Sequence, residues 1–138
     1  MLYTASEPAQ KMEVQAKLVA EVAATNFLAY RNAVQRYLQA NPSATGTIDN
    51  TALTPFFPLG YITDSRWSNT ITSGIFHVYT VSTPPPGLLN QVRARAQDDL
   101  LLGTKDATTG QLRAYSGLDT GIALPTSIAT GAIVMLGR

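Results

Sequence analysis

PAQKMEVQAKLVAEVAATNFLAYRNAVQRYLQANP, residues 8–42, runs from one proline to the next with neither glycine nor proline between them. Pro8 suits the first turn of a helix, with Ser6 placed to cap it. Met12, Ala16, Val19, Ala23, Phe27, Tyr30, Val34 and Tyr37/Leu38 recur every three or four residues, which sets them on one helical stripe. A second line, Val14, Leu18, Val22, Ala29 and Ala33, widens that stripe on one side. Glu13, Lys17 and Glu21 stand four apart on the opposite side, a spacing that suits a solvated face. Asn41-Pro42 ends the helix, because the residue before a proline is pushed out of the α region. A helix of roughly 30 residues is about 45–50 Å long, more than the diameter of a small domain. Part of it must project, bend or pack on something else, while Phe27, Tyr30, Val34 and Tyr37 are expected to face a sheet.

Beyond the helix, PSATGTIDNTALTPFFPLGY (42–61) is rich in proline and glycine and reads as loop with short extended pieces. GIFHVYTVS (74–82) is the best strand, β-branched and aromatic, bounded by Gly74 and by TPPPG. A second helix is expected from about Leu88 to Leu102, ended by Gly103. GTKDATTGQLRAY (103–115) reads as a loop entering a short strand near Gln111–Tyr115, GLDTGIALPTSIATG (117–131) as a further loop, and AIVML (132–136) as a closing strand. Helices and strands do not alternate strictly. The expected architecture is therefore α+β: one domain over residues 1–138, with the long N-terminal helix packed on a small, mainly antiparallel sheet and a second helix.

Composition removes several kinds of function. The 138 residues contain no cysteine, so disulfides, thiolate metal sites and cysteine nucleophiles are out. A net charge of +1 with 14% charged residues leaves no electrostatic footprint for nucleic acid. His77 is the one histidine; on a strand it shares a face with Ile75 and Tyr79, as a structural, partly exposed side chain. A small hydrolase or ligand-binding domain using His77 with a nearby Asp or Ser is the enzymatic alternative, but no G-x-S-x-G context supports it. Asp98 and Asp99 diverge by about 100° on a helix, so they do not form a facing acid pair. Arg93 and Arg95, just upstream, are expected to make local ion pairs. GTKDATTG (103–110) lacks the order of a phosphate loop. No catalytic residue, metal ligand or cofactor-binding residue emerges. The candidates that remain are partner-binding aromatics: Trp67, either a lid over one end of the core or an anchor for a partner, and Phe56, Phe57 and Tyr61 in PFFPLGY.

FLAYRNAVQRYLQANPSATGTI (27–48), LTPFFPLGY (53–61), WSNTI (67–71), GIFHVYT (74–80) and the closing LPTSIATGAIVMLGR (124–138) together resemble the PilM family. These are small proteins of the type IV pilus operons of conjugative plasmids, distinct from the actin-like PilM. The resemblance implies a system, the biogenesis of thin pili, and no reaction; it carries no catalytic residue or cofactor to any position here. It implies protein partners, other pilus assembly proteins or pilins. It also implies a periplasmic location, with an N-terminal apolar segment that would precede MLYTASEP, either a signal peptide or an inner-membrane anchor. A long helix leading into a small sheet is also the plan of a type IV pilin, so a pilin-like minor subunit is the variant reading. A homo-oligomer through the N-terminal helix is a further expectation, and no nucleic acid is implied.

Overall fold

The computed structural model describes the backbone of residues 7–96 and 101–138, and the side chains of residues 11–96 and 101–138. Helix α1 spans Glu7–Ala40, so the reading of residues 8–42 holds nearly to the residue. The proposed Ser6 cap lies outside the described residues. At the other end the Asn41 N–H and its side-chain amide both donate to the Tyr37 carbonyl (2.8 and 3.1 Å), closing the last turn before Pro42.

Six strands follow, β1 (Trp67–Thr72), β2 (Ile75–Thr80), β3 (Leu102–Lys105), β4 (Gln111–Ala114), β5 (Asp119–Ala123) and β6 (Ile133–Gly137). They form one sheet in the order β1-β2-β6-β3-β4-β5, and every pairing is antiparallel. Helix α2 (Asn50–Leu53) with the 3₁₀ turn Thr54–Phe56, and helix α3 (Leu88–Arg95), complete the α+β fold. The C-terminal strand sits inside the sheet, pairing Val78 with Met135 on one side and Gly103 with Val134 on the other.

Alternation along the strands sorts the core into two layers. Ile71, Phe76, Val78, Leu102, Ile133 and Met135 face α1 and α3, meeting Ala23, Ala24, Phe27, Tyr30, Val34, Leu88 and Val92. Each large apolar side chain fully buried there contributes about 1.5–3 kcal/mol. On the reverse face Tyr79, Leu112, Val134 and Leu136 are covered by Leu124, Ile128 and Ala132 from a segment without helix. Lys105 holds that segment down, its Nζ donating to the carbonyls of Pro125 (3.0 Å) and Ile128 (2.7 Å).

Four expectations need correction. The second helix ends at Arg95, not Leu102, and Gly103 lies inside β3. Gly103 is there because the chains approach closely: a Cβ at that position would stand 1.9 Å from the Arg113 carbonyl oxygen. Residues 119–123, read as loop, form β5, residues 67–72, given no element, form β1, and part of PFFPLGY is helical. Tyr37 is only partly buried and meets Phe56 edge-on (centroids 5.8 Å) instead of the sheet. His77 is buried at 6% exposure, deeper than its polar side chain suggested.

Candidate functional site

The back half of α1 is spent on the core, and the front half is not. Residues 11–19 are exposed throughout, whereas Ala20, Ala23, Ala24 and Phe27 are buried. Among the exposed large apolar side chains are Met12, Val14, Leu18, Val19 and Val22. The second line of the sequence reading therefore packs only where Ala33 reaches the core, and its front runs uncovered.

Beside Val22 that line meets a loop held rigidly in place. The Oδ1 of Asn26, on α1, accepts hydrogen bonds from the Tyr61 hydroxyl (2.8 Å) and the Trp67 indole N–H (3.0 Å). Its Nδ2 donates to the Ile62 carbonyl (2.9 Å). One amide thus ties both the 58–62 loop and the first residue of β1 to the helix. Stacking reinforces the tie: Tyr61 lies on Phe57 with centroids 4.3 Å apart, and Phe57 lies near Tyr30 at 6.5 Å. Burial pushes the Tyr61 hydroxyl pKa up to about 12, so at physiological pH it stays a donor to Asn26.

The four aromatic candidates thus have distinct places. Trp67 is enclosed, with 3% exposure, edge-on to Phe27 (5.5 Å) and under the Arg66 guanidinium (4.6 Å). Arg66 in turn pairs with Asp64 at 2.6 Å, which lowers the Asp64 carboxyl pKa. Phe57 and Tyr61 are half-buried and come together with Trp67 around Asn26, while Phe56 lies apart against Tyr37. What this scaffold holds out to solvent is Leu59 at 106% exposure and Ile62 at 79%. With Val22, Ala29 and Pro58 they line a groove of about 380 Å³. Leu59 and Ile62 escaped the sequence reading, although the corner position of Leu59 in P-L-G-Y was the available signal. Tyr61 N–H donates to the Pro58 carbonyl (3.0 Å), so Leu59 occupies an outward corner of a tight turn.

Elsewhere the surface offers less. A hollow of about 440 Å³ between residues 80–84 and 129–132 is lined by Thr80, Ser82, Thr83 and Thr130 and by no charged residue. His77 Nδ1 lies 3.4 Å from the Thr70 carbonyl on the adjacent strand, and burial lowers its pKa. A catalytic base would instead be held up by a neighbouring carboxylate. Arg93 stacks over Tyr115 (5.1 Å) and Arg95 donates to Gln91 (2.7 Å); Asp98 and Asp99, their expected partners, lie outside the described residues. Among the described residues no three His, Cys, Asp or Glu side chains gather in a way that could hold a metal, and no helix is long and apolar enough to cross a membrane.

The fold and surface define an α+β domain that presents an anchored apolar face beside a long helix. The chain belongs to the PilM family, whose model matches residues 1–136. A solved structure of a PilM protein from Escherichia coli B7A is similar in fold: TM-score 0.68 and 24% identity, over 89% of this chain and 94% of that one. A second, a PilM protein from Pseudomonas aeruginosa 2192, shares 28% identity over 86% and 95% of the two chains, with a TM-score of 0.44. No curated protein matches the sequence.

Proposed function

We propose that this protein is a non-enzymatic component of type IV pilus biogenesis, of the conjugative thin-pilus kind, acting by protein–protein contact on the periplasmic side of the inner membrane. Membership of the PilM family supports a pilus-related role. The observation that carries the contact mechanism is the pairing of Leu59 and Ile62, almost wholly exposed, with a three-bonded Asn26 that fixes the loop bearing them. Apolar side chains held out on a preorganised loop lose little entropy when a partner covers them. A pull-down of the pilus operon's products with wild-type protein and with a Leu59→Glu/Ile62→Glu variant tests this. Wild type should retain pilus components and the variant should lose them and fail to restore pili; equal retention by both would remove the contact mechanism.

The pilin-like reading draws on a different observation, the exposed front of α1 ahead of a back half packed on the sheet. Sheared, purified pili separate the two: a subunit appears in the fibre, an assembly component stays with the cells. For the hydrolase reading the test is His77→Ala, with unchanged pilus assembly the expected result.

A further inference from the structure

The sheet ends in two strands that have a neighbour on one side only, β1 and β5. An edge strand offers backbone N–H and C=O groups on which another chain can add as a further strand. The β1 edge is covered from within the molecule. Gly46 exchanges two hydrogen bonds with Ile71, each 2.9 Å, and the Asn69 side chain bonds to both backbone groups of Ile48 (3.0 and 2.8 Å). Among the described residues no such segment pairs with the outer side of β5, whose residues 119, 121 and 123 are exposed.

Strand β5 closes its edge by its own means. It pairs Ala123 with Gln111 and Asp119 with Arg113, so residues 120–122 of β5 stand against Leu112 alone. Such a bulge bends a strand and interrupts its ladder. Gly121, inside it, has a φ of +72°, which extended pairing does not allow. A Cβ on Gly121 would meet nothing within 4 Å, so the glycine serves this conformation and not a close contact. The two amides that follow Thr120 are taken by side chains of the same strand. Gly121 N–H donates to Asp119 Oδ1 and Ile122 N–H to Thr120 Oγ1, both at 3.2 Å. The Thr120 hydroxyl donates in turn to the Leu112 carbonyl (2.6 Å), which fixes its oxygen in place. An incoming strand would have to break both bonds, flatten a left-handed glycine and bring its carbonyls up to a carboxylate.

We infer that Asp119, Thr120 and Gly121 form a guard on the open edge of the sheet, which keeps the β5 strand of a second copy from adding beside β5. A second copy is the chain met at every encounter in a concentrated sample, and its edge has the same length and sequence. With β1 covered and β5 guarded, the sheet takes no further strand, and partners are left with side-chain surfaces. The guard stands apart from the pilus reading, and its test involves no pilus component.

Sedimentation of the full chain over a concentration series tests it, with Asp119→Ala/Thr120→Val as the variant that removes both acceptors. This variant should associate about tenfold or more readily than the wild type. Amide exchange at residues 121–123 should be slower in the associated variant than in the wild type at the same concentration, because new cross-strand bonds protect those groups. Loss of the bulge's support alone would speed exchange there instead. Asp119→Asn/Thr120→Ser keeps an acceptor at each position and should behave as the wild type does. A folded Asp119→Ala/Thr120→Val that associates no more than the wild type would overturn the inference. So would association without protection at 121–123, or equal association by Asp119→Asn/Thr120→Ser. If the double variant fails to fold, Thr120→Val, which keeps the shape of the side chain, decides by the same two readouts.

Discussion

Asn26 makes three hydrogen bonds with one side chain, two of them accepted by a single oxygen. Replacing it with alanine leaves the Tyr61 hydroxyl and the Trp67 N–H without their acceptor, at a cost of about 2–3 kcal/mol. Urea unfolding of Asn26→Ala should show that loss, together with faster amide exchange in residues 58–62. His77 gives the second residue-scale prediction. Its pKa is lowered in the folded state because burial disfavours the imidazolium. As pH falls below about 6.5 the unfolded chain takes up a proton that the folded chain resists, so stability declines from neutral toward acid pH. Unfolding free energies of His77→Gln between pH 7 and pH 5 should decline less than those of the wild type. Strand alternation in the sequence put His77 on the face of Ile75 and Tyr79 correctly. Its depth was not legible, because the segment that covers that face is a loop some fifty residues further along the chain.

Elements were legible where one period persisted and illegible where a turn carried the information. The long helix α1 announced itself through an uninterrupted 3.6-residue rhythm, and β2 and β6 through apolar runs bounded by glycine and proline. Strand β1 was hidden because Ser68, Asn69 and Thr70 look like loop. Its Asn69 is nevertheless wholly buried, bonded to both backbone groups of Ile48 and to the Tyr30 hydroxyl (2.7 Å). The missed cue was the Ser73-Gly74 pair, where both residues have positive φ (51° and 78°), the geometry of a tight two-residue hairpin. For β3 the cue was misleading, since Gly103 resembles a helix terminator and is instead a contact residue. Gly103→Ala should push β3 from β4 and cost about 1–3 kcal/mol, as overpacking does. Thermal unfolding would register the loss, and an unchanged melting temperature would mean that the two strands give way at no cost. The 58–62 loop escaped for a related reason: nothing local shows that Asn26, some thirty-five residues upstream, holds it.

At the scale of the whole molecule, stability and outward reach reside in different parts of one helix. Phe27→Ala removes a fully buried ring between the helix and the sheet and should cost about 3–5 kcal/mol, enough to unfold a marginal domain. Met12→Ala, at a position 68% exposed, should leave the unfolding midpoint within about 0.5 kcal/mol of wild type. Denaturant titrations of the two variants compare these regions directly. The sheet depends in the same uneven way on one of its strands. Strand β6 lies between β2 and β3 and supplies the inner partner of both. Without it the β1–β2 hairpin and the β3–β4–β5 group share no edge, and both core layers lose their central residues. One strand thus closes both layers at once, and displacing β6 would open the helix-covered and the loop-covered core together.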